Sequence, residues 1–168
     1  MPARTILIYP HMGLKEVCIP ITFIDDGVRS LIQDLIDTMH AGPGSVGVAA
    51  PQIGAVRRVC VVDVSKSKLG KDNNHGLLVM INPEIVRREG ASVMREGCMS
   101  VPDYTGDVER SVEITLRFLD ENGEVREIES SGFEAVAIQH EVDHLDGLLF
   151  LDRITSLKTG LFRRKNYK

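Results

Sequence analysis

The chain has 168 residues and carries 24 acidic against 20 basic side chains, a formal net charge of −4. That size fits one domain, and the mildly acidic balance argues against DNA or other nucleic acid as the main partner. No apolar run approaches a membrane span. The three cysteines are odd in number with no Cys-x-x-Cys pair, which does not make a disulfide framework. Residues 1–10 lack a signal-peptide layout, so a cytoplasmic protein with no membrane partner is expected.

Residues 1–24 read as an extended arm turning at Pro10 and Gly13. Asp25 or Asp26 can cap a helix that runs to about His40, because Val28, Leu31, Ile32, Leu35, Ile36 and Met39 repeat at the helical period. Ala41-Gly42-Pro43-Gly44 ends it. Arg58–Val64 is apolar and β-branched, a buried strand. Ser65–Gly76 is polar and reads as a surface loop. Leu77–Ile81 is a further strand closed by Asn82-Pro83, and Ile85–Met94 forms one or two short strands.

Val112, Ile114, Leu116 and Phe118 alternate with polar residues, a half-buried strand. Asn122-Gly123 is a hairpin turn, and Val125–Glu129 is the returning strand. Ser131 and Glu134 have the spacing of a capping box at the head of a helix stopped by Gly147. Residues 153–168 hold six basic side chains and read as a solvated, frayed tail. Strands in the middle and helices near both ends predict an α+β fold, with antiparallel sheets packed around the C-terminal helix.

That helix carries Gln139-His140-Glu141-Val142-Asp143-His144, a His-Glu-x-x-His motif. Residues four apart share a helix face, so His140 and His144 can point at one metal ion. Glu141 lies about 100° further round, where its carboxylate can take a proton from a bound water. The histidines fall on the apolar stripe of Phe133, Val136, Ala137 and Leu145, facing the core. A third donor is needed. None of the 24 residues after His144 is Glu, and only Asp146 and Asp152 offer carboxylates there, which leaves little room for a protease arrangement. Cys98, flanked by Gly97 and Pro102, is the alternative, and the residues alone leave it open. Cys60, inside an apolar strand, reads as core, and Cys18 leans the same way.

Three segments together resemble the peptide deformylase family. They are Ser45-Val46-Gly47-Val48-Ala49-Ala50-Pro51-Gln52-Ile53-Gly54, then Glu96-Gly97-Cys98-Met99-Ser100, then Gln139 to Gly147, in the family's order and spacing over nearly the whole chain. The resemblance implies one catalytic domain over 1–168 that removes the formyl group from N-formylmethionyl peptides of nascent proteins. It implies Cys98, His140 and His144 as ligands of one divalent ion, Fe(2+) in the cell, with Zn(2+), Ni(2+) or Co(2+) able to stand in. By the same resemblance Glu141 is the general base and then acid. Gln52 and the Met99 backbone N–H hold the developing oxyanion, and Val46 and Gly47 line the substrate cleft.

Two positions depart from the family. Ser45 stands where glycine is usual, with Gly44 beside it to take the turn, and Met99 replaces leucine. They keep open hydrolysis of another small N-acyl amide. A non-catalytic metal-binding module at the ribosome is the rival from a different class. Glu96 is balanced between orienting the metal site and an ordinary surface carboxylate. Asp143 and Asp146 are expected to support the helix end, or to hydrogen-bond a group behind the ligands, rather than to ligate. His11, His40 and His75 lack partner spacing and are expected at the surface. Transient contact of the basic tail with the ribosome would follow from work on nascent chains.

Overall fold

The computed structural model describes residues 3–164. Two helices, α1 (Asp26–Ala41) and α2 (Gly132–Leu145), accompany eight strands. A five-stranded antiparallel sheet has the order β1 (Gly47–Ala49), β2 (Val59–Val62), β3 (Leu78–Glu89), β6 (Glu113–Leu119), β7 (Val125–Ser131). A second sheet of three strands has the order β4 (Ser92–Cys98), β5 (Val101–Arg110), β8 (Leu161–Arg163). This is the expected α+β architecture, with α2 packed on β1, β2, β6 and β7.

β2 shows why the sheet is covered on both sides. All four of its residues are buried, and successive side chains point to opposite faces. Cys60 and Val62 join Met80, Leu116, Ile138 and Val142 beneath α2. Val59 and Val61 join Val28, Ile32, Leu35 and Met39 of α1 on the other face. The stripe read from the sequence is thus the buried side of α1, and Asp25 caps the helix by accepting the Val28 N–H at 2.9 Å. A third cluster, with Leu14, Val101, Val108, Leu149 and Phe150, lies under the small sheet and includes Cys98.

Several expectations are corrected. Asn82-Pro83 does not close a strand. β3 continues through a register shift between Ile81 and Glu84. Asn82 takes a φ of 52° there, and its amide replaces a backbone partner, accepting the Ile21 N–H at 2.8 Å and donating to the Ile21 carbonyl at 2.7 Å. Ile85–Met94 is divided between the end of β3, at Glu89, and the start of β4, at Ser92, and β5 is an additional strand. The capping box does not form, since Ser131 makes no side-chain cap. Glu134 instead accepts from the His75 backbone N–H at 2.6 Å and Ser130 Oγ at 2.8 Å, and contacts the His75 ring, anchoring the 65–76 loop.

Nor is the segment after 153 a frayed tail as far as it is described. Arg153 pairs with Asp143 at 2.5 Å, and β8 adds to β5 through Tyr104↔Arg163 and Gly106↔Leu161. Residues 165–168 of that tail lie outside the described residues. Among the described residues no helix is long and apolar enough to cross a membrane.

Candidate metal centre

The two sheets meet at a cleft of about 400 Å³. Its floor joins α2 to the β4–β5 turn. α2 buries every residue from Glu134 to Leu145, so the His-Glu-x-x-His face lies inside the protein. Cys98 ends β4 and pairs with Val101 across the turn. Cys98, His140 and His144 are all buried, and their donor atoms lie within 4.8 Å of one another. Cys98 Sγ is 3.4 Å from His144 Nε2. Metal–sulfur and metal–nitrogen bonds of about 2.3 and 2.0 Å at a tetrahedral angle place their donors about 3.5 Å apart. The observed separation is therefore that of two ligands on one ion, and one thiol with two imidazoles suits iron or zinc.

The surroundings act oppositely on the two imidazoles. His140 Nδ1 meets Glu96 Oε1 at 2.9 Å, which leaves Nε2 for the site. Burial alone would lower the pKa of His140, but its bonds with Cys98 and Glu96 outweigh that and raise it well above the usual imidazole range. His144 moves the other way, pulled down by burial and then by the nearby His140. Its ring therefore stays a neutral, metal-binding base. Phe150 stacks near His140, with centroids 6.2 Å apart and planes at 20°.

Glu96 itself is buried among charges. Burial would push its pKa up, yet hydrogen bonds from Arg110 and His140 hold it down to about 2. Arg110 forks onto it, Nε to Oε2 at 2.7 Å and Nη2 to Oε1 at 2.9 Å. The third arm, Nη1, reaches Asp143 at 2.6 Å. Asp143–Arg110–Glu96–His140 is thus one connected chain of buried charges that sets the His140 ring. Asp143 thus acts through Arg110, and through Arg153, rather than by capping the helix end. Asp146 lies at the surface, paired with Arg58 at 2.7 Å.

Glu141 is 4% exposed, and its Oε1 has no partner among the described residues. Burial pushes its pKa up to about 7, and a divalent cation beside it would draw that value down again. β1 passes directly over this carboxylate. A Cβ added to Gly47 would lie 2.8 Å from Glu141 Oε2, so the absent side chain is what lets strand and carboxylate share the space.

Gln52 sits on the 3-10 turn Ala50–Ile53. Its Oε1 accepts the Ala49 N–H at 3.0 Å, while Nε2 donates to Ser100 Oγ at 3.1 Å and Cys98 Sγ at 3.5 Å. The amide is thereby fixed with its N–H₂ end toward the thiol. Val46, Gly47 and Met99 line the cleft, together with Phe133, Val136 and Ala137 of α2. Gly44 takes the left-handed turn at φ 67°, so Ser45 needs no positive φ.

The structure thus brings together all eight residues singled out as catalytic, ligating or lining. Cys18 and Cys60 are buried free thiols away from the cleft. His11, His40 and His75 lie at the surface, although His75 is partnered by Glu134. Arg110 and Ser100 were not legible as site residues: a lone arginine ending a strand and a serine in a turn carry no spacing signal.

The sequence profile of the polypeptide deformylase family matches residues 3–160. The peptide deformylase of Alkalilimnicola ehrlichii is 45% identical over 165 residues, covering 98% of this chain and 89% of that one. The crystal structure of a peptide deformylase from Legionella pneumophila superposes with a TM-score of 0.84 at 38% identity, covering 93% of this chain and 88% of that one. The Met-Ala-Ser-bound class I type b peptide deformylase from Acinetobacter baumannii gives a TM-score of 0.82 at 32% identity, covering 90% and 98%. A matched profile, near-full-length identity and a shared fold around the Cys98–His140–His144 cluster place this chain in the polypeptide deformylase family.

Proposed function

We propose that the chain hydrolyses the formyl amide of N-formylmethionyl peptides at the start of nascent proteins, releasing formate and a free α-amine. The observation that carries this reading is the convergence of Cys98 Sγ, His140 and His144 within 4.8 Å on the floor of a cleft that also presents Glu141 and Gln52. Cys98, His140 and His144 would hold one divalent ion, with Fe(2+) the ion in the cell and Zn(2+), Ni(2+) or Co(2+) able to replace it. When bound, such an ion polarises the formyl oxygen and acidifies water.

The protein's own residues do the rest. Glu141 takes the proton of the attacking water and returns it to the amine nitrogen as the C–N bond breaks. The water oxygen ends in formate. The Gln52 amide and the Met99 backbone N–H donate to the oxygen that gains charge, and each such donor is worth roughly 3–4 kcal/mol in the transition state. Ser100 and the Ala49 N–H keep Gln52 from turning. Glu96 fixes the His140 ring.

Val46 and Gly47 line one wall of the cleft and Phe133, Val136 and Ala137 the other, an apolar slot suited to a methionine side chain. The whole chain acts as one catalytic domain in the cytoplasm, with at most transient contact with the ribosome. The Met-Ala-Ser peptide held by the Acinetobacter relative supports a short N-terminal peptide as the occupant.

The test is formate release from formyl-Met-Ala and acetyl-Met-Ala peptides by iron- or nickel-loaded protein. Hydrolysis of the formyl peptide alone is expected, since a wall of Gln52, Gly47 and Met99 should admit the formyl hydrogen and exclude a methyl. Equal rates on both would refute the reading. Bound metal with no turnover would favour a binding module.

A further inference from the structure

One end of the cleft is unlike the rest. Arg95 and Arg164 both line it, and their guanidinium groups come from different strands of the small sheet. Arg95 lies on β4. Its guanidinium carbon sits 3.6 Å above the Phe162 ring centroid, and its Nε is 3.9 Å from Asp107. The contact with the ring fixes its plane.

Arg164 follows β8, where its backbone N–H donates to the Asp103 carbonyl at 2.8 Å. Its side chain crosses the sheet face toward β4 and rests over Gly97, where any added Cβ would collide with its Nη2. Its Nε is buried without a hydrogen-bond partner, and none of the ion pairs among the described residues involves it. Among the described residues the one acidic side chain lining this cleft besides Glu141 is Glu96, and Arg110 and His140 already occupy that group. Among the described residues Arg164 is thus a cation with no ion-pair partner, and such a group prefers a bidentate carboxylate.

Arg95, which lines the same end of the cleft, sets where on a ligand that carboxylate must be. Gly97 is one residue from Cys98, and Arg95 is three. β4 is an edge strand, so an extended peptide can run beside it at about 3.3 Å per residue. Three residues from Cys98 is about 10 Å, the distance from a formyl group at the metal centre to the third residue of its peptide.

We propose that Arg164, with Arg95 beside it, is a specificity-determining pair that selects peptides bearing a carboxylate at the third residue. The carboxylate is either an Asp or Glu side chain there or the free C-terminus of a formylated tripeptide. The inference rests on the deformylase reading for its substrate but is tested separately from it.

Two pairs of peptides distinguish the sources. Formyl-Met-Ala-Glu-amide against formyl-Met-Ala-Gln-amide tests the side chain, and formyl-Met-Ala-Ala as free acid against its amide tests the terminus. In at least one pair the wild-type protein should prefer the carboxylate by about three- to tenfold in kcat/KM, carried by KM. The preference should shrink between 0.05 and 0.5 M salt, conditions chosen as roughly weak and strong screening. Arg164→Ala should bring the ratio to about one, Arg164→Glu should invert it, Arg164→Lys should restore part of it, and Arg163→Ala should leave it as in wild type.

Calorimetry of the product peptides Met-Ala-Glu-amide and Met-Ala-Gln-amide on metal-loaded protein gives the same ratio without turnover. No preference in either pair, or a preference that survives Arg164→Glu, overturns the proposal. Absence of formate from every formyl peptide refutes the deformylase reading instead, and the calorimetric ratio still decides the role of Arg164.

Discussion

Replacing Arg110 with methionine should cost about 3–5 kcal/mol of folding stability, the usual loss when one partner of a buried ion pair is removed. The structure puts this substitution at the upper end of mutational effects. The side chains of Arg110, Glu96 and Asp143 are 3%, 5% and 7% exposed. Arg110 makes three charge-assisted bonds of 2.6–2.9 Å to two carboxylates. Without it Glu96 keeps only His140, and Asp143 keeps only the half-exposed Arg153. A domain whose whole stability is about 5–15 kcal/mol loses about a fifth of it at the least.

The second consequence is local. Glu96 no longer holds the His140 ring through a fixed geometry, and outer partners of metal-binding histidines are worth about 10–100-fold in affinity. Urea unfolding of metal-stripped protein measures the first effect, and competition with a chelator of known affinity measures the second. Because the damage comes from an unpaired buried charge, Arg110→Met combined with Glu96→Gln should be less destabilised than the sum of the two single variants. A stability loss under about 1 kcal/mol with unaltered metal affinity would contradict the account.

Three further outcomes are expected. Glu141→Gln should retain its metal and lose about 10²–10⁴-fold in turnover; loss of metal along with activity would assign Glu141 a structural role. Gly47→Ala should force the Glu141 carboxylate aside, since the new Cβ falls 2.8 Å from Oε2, and a displacement of about 1 Å at a reacting group costs roughly 10²-fold in kcat; kinetics like those of wild type would show that β1 yields instead. Asp152, despite burial that opposes it, has its carboxyl pKa lowered by the Leu149 N–H and Lys15. The stability it supplies is therefore present above the unfolded carboxylate range of about 4 and is lost as pH falls through the lower folded value. The gap in urea midpoint between wild type and Asp152→Asn should close on acidification, and a gap that widens would reverse the sign.

What the sequence made legible was whatever repeats or clusters locally. The stripe of α1 and the spacing of His140 and His144 are periodic, so both were readable from side-chain type alone. β3 was cut short because proline ordinarily ends pairing. The exception depends on Asn82 bonding both backbone groups of Ile21, a partner 61 positions away. β5 was missed because Asp103, Gly106 and Asp107 have weak strand preference. It forms because β4 and β8 flank it on both sides, a tertiary effect that overrides propensity. Likewise the apparent capping box lost Glu134 to the His75 loop. Cys98 was a third-donor candidate that the residues alone left open and that only the family resemblance implied as a ligand, and Arg110, which ties the site together, follows from no local pattern.

The placement of the three donors has a thermodynamic consequence. Cys98 belongs to the small sheet, whereas His140 and His144 ride on the helix that covers the large one, and 46 positions separate Cys98 from His144. An unfolded chain has no such triad to offer, so an ion that binds there is a ligand of the native state alone. By mass action each tenfold rise in free metal above its dissociation constant then adds about 1.4 kcal/mol to the free energy of unfolding. Such an ion would tie the small sheet to α2 as a cross-link whose strength is set by the surrounding medium, and the melting temperature of this protein should serve as a gauge of free metal concentration.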